Sequence, residues 1–182
     1  MRCKLNVEKD GSVIFASRFD DEKDPMFFLD LVEACPDIKF KLVNPRKDRP
    51  ITSNQKVVDR LDKILSRAAN NLELIDTSDK VSYYEALAKA SIIFNCADQD
   101  WVSWTLLEGI TFGCKPLYPI WKDFPFELDN DNRYLYVKKD LDDCIDKLYR
   151  LIQEPFDTKL NHIVERHDRS WFNYLKFMGL VK

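Results

Sequence analysis

Six short apolar runs rich in β-forming residues alternate with segments of helical period. This alternation limits the fold more than any other feature of the chain. The runs are "SVIFAS" (12–17), "IKFKLV" (38–43), "LELI" (72–75), "SIIFN" (91–95), "KPLYPI" (115–120) and "RYLYV" (133–137). Asp24 and Pro25 suit the N-cap and first position of a helix carrying "MFFLDLVEAC". Val57, Val58, Leu61, Ile64 and Leu65 give 54–69 a helical period. The stretch 76–90 opens with cap residues and continues as a helix. Leu106, Leu107, Ile110 and Phe112 form the apolar face of a helix from Trp104 to Phe112, with Gly113 as its stop. A further helix is expected over 140–152, then a long or broken helix in the tail. The early strands are apolar on both faces, which implies a parallel sheet covered on both sides and built from right-handed βαβ units. The expected fold is α/β, a doubly wound Rossmann-like parallel sheet of about six strands with a C-terminal helical extension. The expected divisions are a lead-in segment over 1–11, a Rossmann-like domain over 12–155 and the helical extension over 156–182.

Composition narrows the class. The chain has 182 residues, 45% hydrophobic and 32% charged, with net charge −3. That suits one soluble domain with a real core and gives no nucleic-acid signal. No apolar run approaches the length of a membrane span, and "MRCKLNVEKDGSV" lacks the apolar centre of a signal peptide. Cys3, Cys35, Cys96, Cys114 and Cys144 are odd in number and form no CxxC pair, so they read as reduced thiols of a cytoplasmic protein. His162 and His167 lack a ligand spacing on one helix face, so no metal is expected. The four glycines form neither a GxGxxG nor a Walker loop.

Ligands of such sheets sit beyond the carboxyl ends of the strands, which singles out loops 18–24, 44–53, 76–79 and 96–103. Arg18 and Lys23 follow the first strand; Asp100 follows the fourth, with Glu108 eight residues on; a helix starts near Ser103 and Trp104. Two cations and a helix N-terminus favour a phosphate or diphosphate. Carboxylates beside it suit the hydroxyls of a sugar or ribose. Asp98 rivals Asp100. Trp101 and Trp104 either cover the core or stack on a base or sugar. Tyr83, Tyr84, Trp121 and Phe124 read as core or interface aromatics, and the basic loop 44–49 as solvated.

The chain resembles, over nearly its whole length, the carboxyl-terminal, donor-binding domain of GT-B glycosyltransferases of the "glycosyltransferase group 1" family. The resemblance lies in "VIFASRFDDEKDPMFFLDLVEACPDIKFKLV", in "NLELIDTSDKVSYYEALAKASIIFNCA", and in "DQDWVSWTLLEGITFGCKPLYP", where Asp100-x7-Glu108 matches the family's E-x7-E region. It implies that Arg18 and Lys23 hold the donor diphosphate and stabilise the leaving group. Glu108 would bind ribose and Asp100 the sugar, while amides around Ser103 and Trp104 meet phosphate. The donor would be a nucleotide-diphosphate sugar, with no cofactor and no metal. Three positions depart from the family: Asp100 stands for Glu, Ser103 for a common glycine, and Asp76 for the glycine after the third strand. The family's amino-terminal acceptor domain has no counterpart here. The exposed face therefore needs that missing domain, a partner chain or, in a homodimer, a second copy. Alone, the chain is expected to bind donor with little or no transfer. The other class of function left open is a non-catalytic binding or scaffolding domain on the same fold. A response-regulator receiver is disfavoured, because Lys115-Pro116 stands at the start of the fifth strand instead of following it.

Overall fold

The structure, a computed structural model, describes residues 7–44, 51–100 and 103–178. Strands β1 (Val13–Phe15), β2 (Phe40–Asn44), β3 (Leu72–Asp76), β4 (Ile92–Phe94), β5 (Lys115–Pro119) and β6 (Leu135–Tyr136) form one parallel sheet. Their order is β3-β2-β1-β4-β5-β6. That is the doubly wound Rossmann order, not the 2-1-3-4-5 order of receivers. The order reverses between β1 and β4, where Phe15 pairs with Phe94, so the sheet opens a crevice at their carboxyl ends.

The connecting helices are α1 (Pro25–Ala34), α2 (Gln55–Leu65), α3 (Lys80–Lys89), α4 (Trp104–Thr111), α5 (Phe124–Glu127) and α6 (Leu141–Gln153), followed by α7 (Asn161–Phe177). Caps set most of their starts. Asp24 accepts from the Phe27 amide ahead of Pro25, and Asn54, Asp79, Ser103 and Asp140 cap α2, α3, α4 and α6. Gly113 has φ of +79°, the left-handed turn that ends α4 and feeds β5. The core lies on both faces of the central strands: Phe15, Phe28, Phe40, Phe94 and Tyr136 are all essentially buried. The Phe15 and Phe28 ring centroids lie 4.9 Å apart, and Phe27 stacks on Tyr136 at 5.7 Å.

Several local expectations need correction. Strand β3 is an edge, with Glu73 and Leu74 exposed, so it is not apolar on both faces. Lys41, in β2, is buried and paired with Asp10 from the segment before β1. Helix α2 stops at Leu65, short of Ala69, and the four-residue α5 was not foreseen. Lys9, in the amino-terminal segment, donates to Ala90 O at 2.6 Å and Phe112 O at 2.8 Å, so one ammonium closes the carbonyl ends of α3 and α4. Burial lowers its pKa. Lys115 does the same for α6 through Leu151 O and Glu154 O. The tail is a short 3₁₀ turn followed by α7, which packs on α4. Both histidines tie α7 to the α5 turn: His162 meets Asp129, just past it, and His167 Nε2 meets Glu127 Oε2 at 2.6 Å. Cys35, Cys96, Cys114 and Cys144 are free and buried; Cys3 lies outside the described residues. Among the described residues no helix is long and apolar enough to cross a membrane.

Candidate functional site at the sheet switch point

The loops after β1 and β4 are tied together. The amides of Asp98 and Gln99 both donate to Glu22 O, at 2.9 and 3.1 Å. Lys23 Nζ donates to Gln99 O at 2.7 Å and lies 3.5 Å from Asp100 Oδ2. The side chains of Lys23 and Asp100 are only 11% and 16% exposed, so this pair is poorly screened by water. Asn95 Nδ2 reaches the same Asp100 oxygen at 3.3 Å. Asp98 points elsewhere: Lys138 Nζ binds its Oδ1 at 2.9 Å. Burial would raise the Asp98 pKa, but Lys138 and Lys139 outweigh it and hold the carboxyl below its usual value.

Beside this closed region lies an open cleft of about 290 Å³. Ala16, Ser17 and Arg18 from the β1 end, Val43, Thr77, Lys80 and Tyr83, and Glu108 on α4 line it. The position of α4 depends on Gly109. A Cβ there would come within 2.7 Å of Ile93 Cγ2, so only glycine lets the helix sit this close to β4. Glu108, half-buried on that helix, accepts from the Tyr83 hydroxyl at 2.7 Å. Burial, then the bond to Glu108, drive the Tyr83 pKa far upward, so the phenol stays a donor. Arg18 is 62% exposed and held by acids of its own loop, Glu22 and, at 3.4 Å, Asp20.

Ser103 is the N-cap of α4. Its hydroxyl accepts from the Leu106 amide at 3.3 Å and contacts Thr105 Oγ1 and the buried Tyr118 hydroxyl at 3.0 and 3.1 Å. The hydroxyl is thus engaged within the protein, and the backbone amides of the helix's first turn are what α4 offers an anion. The Trp104 ring is exposed and turned away from the cleft, lining a groove with Leu107, His167 and Trp171. The structure therefore brings Arg18 and Glu108 to one cleft and joins Lys23 to Asp100 next to it. Trp101 and loop 45–50 lie outside the described residues. Asp76 accepts from the Ser78 amide at 3.0 Å, forming the turn into α3.

The sequence reading missed the cleft roles of Ser17, Thr77 and Tyr83. Tyr83 read as a core aromatic because "SYYEALAKA" gives no sign of which tyrosine turns inward. Its position in the first turn after a strand's carboxyl end was the available signal.

No family model and no curated protein matches the chain. Solved structures do. TarM superposes with a TM-score of 0.69 at 15% identity, covering 92% of this chain and 35% of that one. The GtfA/B complex gives 0.67 at 14%, covering 95% and 38%. The catalytic domain of cholesterol-alpha-glucosyltransferase from Helicobacter pylori gives 0.62 at 17%, covering 90% and 98%. A mutant of S. aureus TarM, solved in a complex that includes UDP, gives 0.67 at 17%, covering 90% and 35%. The chain thus spans little more than a third of the length of TarM and of the GtfA/B chain. At these identities the likeness is one of fold, and the fold of this chain is that of a Rossmann-like domain of the GT-B glycosyltransferases.

Proposed function

We propose that the switch-point cleft binds a nucleotide-diphosphate sugar, and that the chain is the donor half of a retaining hexosyltransferase. The observation that carries this reading is the lining of one cleft, at the carboxyl ends of β1, β2 and β3 and against α4, by a guanidinium, Arg18, and a carboxylate, Glu108. The first suits a diphosphate and the second a ribose diol. The Ser17 and Thr77 hydroxyls in the same lining supply neutral hydrogen-bonding groups. Asp100 and Lys23 lie at the adjoining loop, where the transferred sugar and the leaving diphosphate would extend. In transfer, the bond from the anomeric carbon to the diphosphate oxygen breaks, the acceptor oxygen bonds to that carbon, and the acceptor's proton passes to the departing diphosphate. Arg18, Lys23 and the α4 amides would stabilise the departing charge, with no metal required. The acceptor hydroxyl and its binding wall would come from a second domain or chain. TarM, the fold neighbour solved with UDP, supports a nucleoside diphosphate as the ligand class.

One observation favours a second reading, a non-catalytic binding domain: Arg18 and Lys23 are both already paired with carboxylates. Calorimetric titration with UDP-, GDP- and ADP-sugars separates the two. The donor reading expects saturable binding of at least one sugar nucleotide, weakened by Arg18→Ala. Absence of binding to all three favours the second reading.

A further inference from the structure

Tyr83 is held on several sides. Lys80 Nζ lies over its ring at 5.2 Å from the centroid, and the Tyr84 ring is 5.4 Å away. Tyr84 in turn stacks on Phe112 at 5.1 Å. A ring with one face covered by an ammonium is poorly placed to stack on a nucleobase, so what it offers the cleft is its hydroxyl. That hydroxyl is committed to Glu108 Oε2 at 2.7 Å, and among the described residues Glu108 Oε1 has no hydrogen-bond partner. A half-buried glutamate on a helix has three side-chain torsions to fix before it can receive a ligand. A rigid phenol bound to one oxygen fixes them in advance, and the free ligand site is left on the other oxygen.

We infer that Tyr83 is a positioning residue for ribose recognition: its clamped hydroxyl holds one carboxylate oxygen of Glu108 so that the other receives a ribose hydroxyl. The inference rests on the donor-site reading and extends it to a residue that touches no ligand itself. The Tyr83–Glu108 bond is charge-assisted, so it orients the carboxylate more strongly than a neutral bond would. Burial keeps the phenol protonated well above neutral pH, so this orienting bond persists throughout the range in which the protein is handled.

The test compares the tightest-binding of UDP, GDP and ADP with its 2′,3′-dideoxy counterpart, by calorimetry on the full chain. Wild type is expected to prefer the ribonucleotide. Tyr83→Phe is expected to reduce that preference by about threefold to tenfold while binding the dideoxy nucleotide as wild type does. Because the readout is a ratio, general damage to the cleft cancels. Lys80→Ala, which loosens the ring from the solvent side, is expected to reduce the preference in the same direction by about twofold, and it serves if Tyr83→Phe does not fold. An unchanged preference in a folded variant overturns the positioning role while leaving the donor site standing. Wild type that binds the two nucleotides equally overturns ribose recognition at Glu108 and the role of Tyr83 with it. Wild type that binds neither overturns the donor reading itself.

Discussion

The two halves of the candidate site are built differently. Around Glu108 the side chains are fixed but one carboxylate oxygen has no hydrogen-bond partner among the described residues, and the cleft of about 290 Å³ stands open. Around Lys23 the groups are fixed by one another: ammonium to Asp100, ammonium to Gln99 O, and the two loop backbones through Glu22 O. The first half is ready for a ligand. The second must exchange an internal pair for an external one, so part of any diphosphate–Lys23 attraction is offset by loss of the Asp100 contact. The same exchange would free Asp100 for sugar hydroxyls. Diphosphate and sugar recognition would then be coupled through one ion pair, whereas ribose recognition stands apart.

The comparison can be broken at several points. Glu108→Ala removes the open half's acceptor and leaves the Tyr83 hydroxyl without its partner; donor affinity should fall about tenfold to a hundredfold by calorimetry. Gly109→Ala attacks what positions that half. The new methyl meets Ile93, and chemical denaturation should show a loss of about 1–3 kcal/mol. In the closed half, Asp100→Asn breaks the internal pair. Free nucleoside diphosphate should then bind about twofold to fivefold more tightly, while the extra affinity contributed by the sugar falls. The smallest effect concerns Asp98. A carboxyl whose pKa is depressed on folding contributes stability that is full above its unfolded value and is lost as pH falls through the folded value. The melting-temperature difference between wild type and Asp98→Asn should therefore be present at neutral pH. It should begin to shrink at about pH 4, the unfolded value, and vanish only below the depressed folded value; at neutral pH it should correspond to no more than about 0.5 kcal/mol for a carboxylate 40% exposed.

Much of this was legible in the chain because it is written locally. Short runs of branched and aromatic residues marked all six strands, Asp24-Pro25 marked the start of α1, and Gly113 marked the end of α4. What escaped depends on distant partners. Nothing near Lys9 or Lys115 announces that each closes helix ends far along the chain. The short "FPFE" turn of α5 is too brief for a periodic signal, and it begins just after Lys122, which has φ of +49°. The site split in the same way. Spacing placed Arg18, Lys23, Asp100 and Glu108 at one sheet edge, but it carried no information about pairing. That Lys23 engages Asp100 follows from the tie between the loops after β1 and β4, and that Ser103 spends its hydroxyl as a cap and Tyr83 rather than Tyr84 meets Glu108 follow from the packing of α3 and α4 on the sheet.

A crystal structure with the tightest-binding sugar nucleotide tests the central claim most directly. The account predicts a ribose hydroxyl within hydrogen-bond distance of Glu108 Oε1, the diphosphate against Arg18 and the first turn of α4, and Lys23 released from Asp100. A nucleotide bound elsewhere, or in the cleft with its ribose turned away from Glu108, would contradict it.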